Sequence, residues 1–249
     1  MKSNDEYVNH VKFVAHRGYS MKAPENTLPA FELAGQAGFW GIELDTYCTA
    51  DGHWIVHHDR TLNRMTNGRG AVHKRTFAEI KQLHIRAGAE IEKYQDLKIP
   101  SLEEVLEISS RHGMHAFVEV KGFHSDEDLR RLVQIIRDKQ GEDRCSVIDF
   151  EADRLQKIRA LTAQLTLGYL KDKKPLASDI SFLRDLGNTF MNCNHAHMTV
   201  NDVHFCHEHG VEISIWTVND RLKAEPFIAA GVDYITTDTN LHQQLNPSS

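Results

Sequence analysis

The sequence has no polybasic run, no apolar stretch approaching the roughly 20 residues that span a bilayer, and no C-x-x-C pair. The first absence, with a formal charge of −6 from 29 Lys and Arg against 35 Asp and Glu, argues against a nucleic-acid partner. A phosphate-bearing substrate stays compatible with that charge, because local cations can steer it. The second absence, with the polar leader MKSNDEYVNH, predicts a cytoplasmic chain without stable membrane anchoring. The four cysteines, Cys48, Cys145, Cys193 and Cys206, are scattered, which suggests neither a zinc ribbon nor a disulfide framework. They are expected to be reduced and mostly buried. No linker rich in Pro, Gly or Ser divides the 249 residues, so a single domain over residues 1–249 is expected, with an insertion at about 60–98.

What is present is an alternation. The run VKFVA reads as a strand, and NTLPAFELAGQAGF follows it with helical spacing, Asn26 or Thr27 standing as N-cap. GIELDTYCT and WIVHH read as strands joined by the turn ADGH. After a polar, irregular stretch containing TNGRG and the short helix TFAEIKQL, Ser101 and Glu104 form a capping box on an amphipathic helix. From there the pattern is regular. HAFVEVK, CSVIDF, TLGYL, TFMNCN and EISIWTV each precede a helix, predicted over 125–139, 151–161, 175–186, 199–209 and 220–230. VDYITT closes the set. With the hairpin strand WIVHH set aside, eight strands alternate with helices, several of them continuous apolar runs, and they predict an α/β fold of the (β/α)8 TIM-barrel class.

In that architecture chemistry sits at the C-terminal ends of the strands. His16 and Arg17 fall there, as do Glu43 and Asp45, whose i, i+2 spacing puts both carboxylates on one side of a strand. His57 and His58 end the hairpin strand, Glu119 and Lys121 repeat the i, i+2 arrangement, and Trp216 lies near another strand end. Three carboxylates, Glu43, Asp45 and Glu119, pointing into one mouth repel one another unless a cation neutralises them. An all-oxygen set suits Mg2+ or Ca2+ better than zinc. The plainer alternative is that each carboxylate pairs with Arg17 or Lys121 in a structural network. The two cations also suit an anionic phosphate group, and His16 and His58 suit proton transfer near neutral pH. The tract NHAHMTVNDVHFCHEHG places His204 and His207 on one helical face, but it lacks a clean zinc pattern; His195 and His197 are close enough in sequence to a strand end to reach the mouth.

The ordered set HRG, PENTLPAF, GIELDTYCTADGHWIVHHDRTLNRMTNGRG, VEVK, IWTVN and GVDYITTD resembles the glycerophosphodiester phosphodiesterase family, from residue 12 to about 239. The resemblance implies a phospholipase C-like barrel with a small insertion after the second catalytic histidine. It implies His16 and His58 as the catalytic pair, Glu43, Asp45 and Glu119 as ligands of one divalent cation, and Arg17 on the phosphate with Lys121 assisting. The chain departs from the family pattern at Met65, where Thr is common, at SVIDFE, which replaces an SSFD-like stretch, and at Asn240, which replaces a frequent Pro.

The activity implied is metal-assisted hydrolysis of a small-molecule glycerophosphodiester to glycerol 3-phosphate and an alcohol. His16 is the provisional base and His58 the acid, with the reverse open. Glu25 is placed within reach of the mouth, and Trp216 is a candidate substrate contact. Rival expectations are a phospholipase D-like activity on lysophospholipid or sphingomyelin, which requires an apolar surface at the mouth, and a non-catalytic binding barrel.

Overall fold

The eight runs read as buried strands close into a ring. A computed structural model describes residues 10–245. Among these, β1 (Lys12–His16), β2 (Gly41–Cys48), β4 (His115–Gly122), β5 (Cys145–Asp149), β6 (Thr166–Lys171), β7 (Thr189–Asn194), β8 (Glu212–Trp216) and β9 (Tyr234–Thr237) pair in parallel. Because β1 pairs with both β2 and β9, the sheet has no open end, and the fold is a (β/α)8 barrel. The short β3 (Trp54–Val56) lies antiparallel on the outer part of β2, with Cys48 opposite Trp54.

Parallel strands inside a ring of helices are covered on both faces, and β2 is buried at every position. Inward-pointing Val14, Phe117, Ile148, Leu170, Phe190 and Tyr234 fill the barrel's interior. Gly168 of β6 belongs to that packing: a Cβ there would stand 2.4 Å from Phe190 Cζ and 2.7 Å from Ile148 Cγ2. The larger core lies between the strands and the helices α1 (Leu28–Gln36), α3 (Leu102–Arg111), α4 (Asp126–Lys139), α5 (Ala152–Leu161), α6 (Ala177–Leu186), α7 (Val200–Glu208), α8 (Arg221–Ala229) and α9 (Leu241–Leu245). The predicted capping box opens α3: Glu104 N donates to Ser101 Oγ (3.3 Å) and Ser101 N donates to Glu104 Oε2 (2.7 Å). The four cysteines are free and buried.

Residues 60–98 carry 3-10 turns, the five-residue α2 (Phe77–Lys81) and two isolated antiparallel bridges, Thr61 with Ala71 and Thr66 with Ile85. They are nevertheless packed, because Leu62, Met65, Val72, Ile80 and Ile85 build a second apolar cluster against Tyr47 and Ile55 of the hairpin. Met65 is buried within this cluster, which explains an apolar side chain at a position where threonine is common.

One local expectation is corrected and one choice is resolved. The hairpin strand stops at Val56, and His57 turns away from the mouth, buried with its Nε2 donating to Thr61 O (3.1 Å). Of the two residues expected as N-cap of α1, Thr27 holds the position and Asn26 does not. Thr27 does so without capping through its side chain, its hydroxyl donating to Pro24 O instead, while the Asn26 side chain is drawn to β2.

Candidate active site

The loop after β1 makes an abrupt turn. Arg17 (φ 57°) and Gly18 (φ 79°) both take the left-handed conformation, and a Cβ on Gly18 would press against the backbone of Ala30 at 2.7 Å. The turn is held by Arg17 N donating to Glu43 Oε2 (3.0 Å) and by Asn26 N donating to Arg17 O (2.9 Å). It leaves His16 and the Arg17 side chain facing the carboxylates of β2.

Glu43, Asp45 and Glu119 offer ligand atoms that all lie within 4.8 Å of one another, the first two buried and the third half-buried. Two cations flank them. Lys121 Nζ lies 2.6 Å from Glu119 Oε1 and 3.3 Å from Asp45 Oδ1. Arg17 Nη1 donates to Glu25 Oε1 (3.0 Å), which brings Glu25 into the site. Its Nε is 3.2 Å from Asp45 Oδ2, close enough for charge pairing but not aligned for a hydrogen bond. Asn26 Nδ2 completes the bracing of Asp45 by donating to Oδ2 (2.7 Å).

The charges do not balance locally. Burial pushes the Glu43 carboxyl above its ordinary range, and Asp45 and Glu119 push it further. Glu119 is raised for the same reasons, burial first and Asp45 second. Burial also acts on Asp45, but Lys121 and Arg17 outweigh it and hold that carboxyl low. A cluster of three carboxylates that remains short of positive charge beside an Arg and a Lys fits a bound cation, and its all-oxygen donor set fits a hard divalent ion.

The two histidines are built alike. His16 Nδ1 lies 2.7 Å from Asp238 Oδ1, and His58 Nδ1 lies 2.8 Å from Asp59 Oδ1. An ionised aspartate on Nδ1 fixes the proton there and leaves Nε2 of each ring for chemistry. Asp238 also accepts from Ser20 Oγ (3.1 Å) and Asn219 Nδ2 (2.6 Å), so the loops after β1, β8 and β9 meet at His16. Asp59 is gripped by Arg64, whose Nε and Nη2 donate to its two oxygens at 2.7 and 2.9 Å.

His16, Arg17, Glu43, His58, Glu119 and Lys121 line one side of a cavity of about 170 Å³. Its other side is apolar, made by Ile148, Leu170, Phe150 and Trp216, with Asn192 and Thr236 beneath. Phe150 and Trp216 meet edge to face at 6.0 Å, and Trp216 Nε1 donates to Asn192 O (3.2 Å). Asn192 Oδ1 is buried without a partner among the described residues. The structure thus brings together His16, His58, Arg17, Lys121, Trp216, Glu43, Asp45 and Glu119. It leaves out the histidine tract: His195 Nδ1 bonds Trp216 O (3.1 Å) without lining the cavity, and His207 bonds Asp233 on the outside of the barrel. Sequence reading missed Asp59, Arg64, Phe150 and Asp238. Asp59 and Asp238 stand in the quoted motifs, HHDR and GVDYITTD, and only their distance from a histidine in space gives them a role.

Residues 16–241 match the family model for the glycerophosphoryl diester phosphodiesterase family. The chain is 34% identical to a glycerophosphodiester phosphodiesterase of Caldanaerobacter subterraneus subsp. tengcongensis, over 90% of this chain and 93% of that one. It is 33% identical to a glycerophosphodiester phosphodiesterase of Bacillus altitudinis, over 91% and 94%. Among solved structures it resembles an Oleispira antarctica phosphodiesterase in complex with the product sn-glycerol-3-phosphate, with a TM-score of 0.88, 29% identity and coverage of 97% and 99%. With the barrel, the carboxylate cluster and the paired histidines, these matches over nearly the whole length show that the chain belongs to the glycerophosphoryl diester phosphodiesterase family.

Proposed function

We propose that this chain is a single-domain phosphoric diester hydrolase that cleaves a small glycerophosphodiester to sn-glycerol 3-phosphate and an alcohol. The observation that carries the reading is the facing arrangement of two aspartate-backed histidines around a carboxylate cluster flanked by Arg17 and Lys121. Glu43, Asp45 and Glu119 would hold one divalent cation, Mg2+ or Ca2+. When bound, the ion neutralises charge on the phosphoryl oxygens. Arg17, whose guanidinium borders the cavity, holds a phosphoryl oxygen by its fork, and Lys121 adds a second positive charge beside it.

Proton transfer falls to the two Nε2 atoms. One histidine accepts the proton of the attacking hydroxyl as its oxygen bonds to phosphorus. The other gives its proton to the alkoxide as the bond from phosphorus to that oxygen breaks. The attacking group is water or the substrate's own glycerol 2-hydroxyl; a single-turnover assay that detects cyclic glycerol phosphate selects the second route. Replacing either His16 or His58 by Ala is expected to lower kcat on the order of a hundredfold or more. A variant that kept full turnover would remove that histidine from the scheme. Chelation is expected to abolish hydrolysis of glycerophosphocholine, with Mg2+ or Ca2+ restoring it, and restoration by one ion alone identifies the metal.

A second reading is favoured by one observation. Of the exposed large apolar side chains, Met21 (56%), Phe150 (39%) and Leu176 (51%) lie in the segments that follow β1, β5 and β6, and Leu222 (75%) lies in the first turn of α8, which follows β8, so all four fall toward the mouth end of the barrel. Exposed apolar side chains on that end, with Phe150 lining the cavity itself, suit a lysophospholipid acyl chain. Side-by-side turnover of glycerophosphocholine and lysophosphatidylcholine separates the readings. No helix among the described residues is long and apolar enough to cross a membrane, and the four free buried thiols are compatible with the cytoplasm. Fractionation of cells tests that placement.

A further inference from the structure

A second cavity, of about 350 Å³, adjoins the active site and shares Lys121 with it. Its lining carries no carboxylate: beside Lys121 stand Arg60, His73, His124 and Tyr47, over a floor formed by Gly122 and Phe123. The walls are fixed by backbone bonds. Val72 N donates to Arg60 O (3.1 Å), which sets Arg60 beside His73, and His124 N donates to Asp128 Oδ2 (3.0 Å) at the start of α4. The imidazoles of His73 and His124 face each other across 6.2 Å. Gly122 lets the Tyr47 ring close the inner wall, since a Cβ there would stand 3.0 Å from Tyr47 Cδ1.

Beyond Lys121, the polar side chains of this cavity have no protein hydrogen bond or ion pair among the described residues, and Arg60 is exposed at its edge. Lys121 shares its charge with Glu119 and Asp45, but among the described residues the Arg60 guanidinium has neither a hydrogen bond nor an ion pair. Tyr47 is a buried residue that lines the cavity, and its accessible hydroxyl has no protein hydrogen-bond partner among the described residues. Partial burial and the like charges of Arg60, His124 and Lys74 depress the basicity of His73, a crowding that an anion would relieve.

We propose that this cavity is a subsite for an anionic group, phosphate or carboxylate, carried by the leaving alcohol of the diester, with Arg60 as its principal partner and His73, His124 and the Tyr47 hydroxyl as further donors. The proposal rests on the hydrolase reading above. The glycerol half of such a substrate carries only hydroxyls, so a charged extension belongs to the other ester. An occupant of this position would reach the side cavity past Lys121, the residue common to both.

The test is steady-state kinetics, with Mg2+ present, on four glycerol 3-phosphate diesters whose leaving alcohols are 2-phosphoethanol, 3-hydroxypropanoate, 1-propanol and choline. We expect kcat/KM for at least one anionic diester to exceed that for the propanol diester by about tenfold, mainly through KM. Whichever anion gains more identifies the group the cavity prefers. In Arg60→Ala and in His124→Gln that advantage should shrink toward unity, and Arg60→Lys should retain part of it. Equal values for all four diesters, a preference for choline, or an anion preference that survives Arg60→Ala would overturn the proposal. Failure to hydrolyse any of the four by a folded, metal-supplied protein would instead overturn the hydrolase reading.

Discussion

Arg64 lies outside the catalytic cavity, yet it holds two of the groups that shape it. Its guanidinium grips Asp59, the partner of His58, and also donates through Nη2 (2.6 Å) and Nη1 (3.1 Å) to Glu25, the partner of Arg17. Both carboxyls are thereby held below their usual range: Asp59 chiefly by Arg64 itself, and Glu25 by Arg64 and Arg17 against the opposing effect of burial. Arg64 is thus a positioning residue that ties the loop after β1 to the loop after β3. Arg64→Ala is expected to lower kcat about tenfold, near 1.4 kcal/mol, with a small change in KM and partial rescue by added guanidinium. An unchanged kcat would show that the histidine and the phosphate clamp hold their places unaided. The eight candidate site residues are legible in the sequence because strand ends can be located by pattern and because three carboxylates placed in one mouth repel one another unless a cation neutralises them. Asp238 is not. It meets His16 across 222 positions of sequence, and no local pattern encodes such a distance. Asn26 and Thr27 both carry a local helix-start signal, and sequence does not choose between them; Thr27 takes the N-cap position while the buried carboxylate of Asp45 engages the Asn26 amide.

At the scale of elements, each strand carries two kinds of constraint. The last inward residues of β2 and β4 are selected for charge, while residues deeper in the barrel are selected for volume. Gly168 shows the second constraint. Gly168→Ala would drive a methyl into Phe190 and Ile148, and is expected to cost about 1–3 kcal/mol, readable as a lowered thermal midpoint. A midpoint equal to that of the parent would mean that β6 has room the packing does not show. The elements themselves were largely readable, as apolar runs broken by capped helices. The segment 60–98 was readable only as an insertion, because its side chains pack on the hairpin rather than on a repeating face of their own.

For the whole molecule, the end of the barrel opposite the active site sets a limit on acid stability. His115 opens β4 there, stacked on Trp40 at 4.7 Å and bonded through Nε2 to Ser146 Oγ (2.8 Å). Burial, aided by the nearby charge of Lys12, depresses its pKa from 6.5 to about 4. Well above pH 6.5 the ring is neutral in the folded and unfolded chains alike and contributes no pH dependence. Between pH 6.5 and about 4 the unfolded chain binds a proton that the folded one refuses, so stability falls as the pH is lowered through that window. Denaturant titrations should therefore show a shallower loss over this range in His115→Gln than in the parent, and equal slopes would exclude His115 as a source. The opposite end of the barrel carries a different consequence of ring closure. His16 stands at the end of the first strand, and the Asp238 that orients it directly follows the last. Catalytic competence is therefore a late event in the life of the chain. During synthesis the site cannot be complete until residue 238 has left the ribosome, and during refolding turnover should return after helical circular dichroism has recovered, with enzymatic activity acting as a clock for the joining of the two ends.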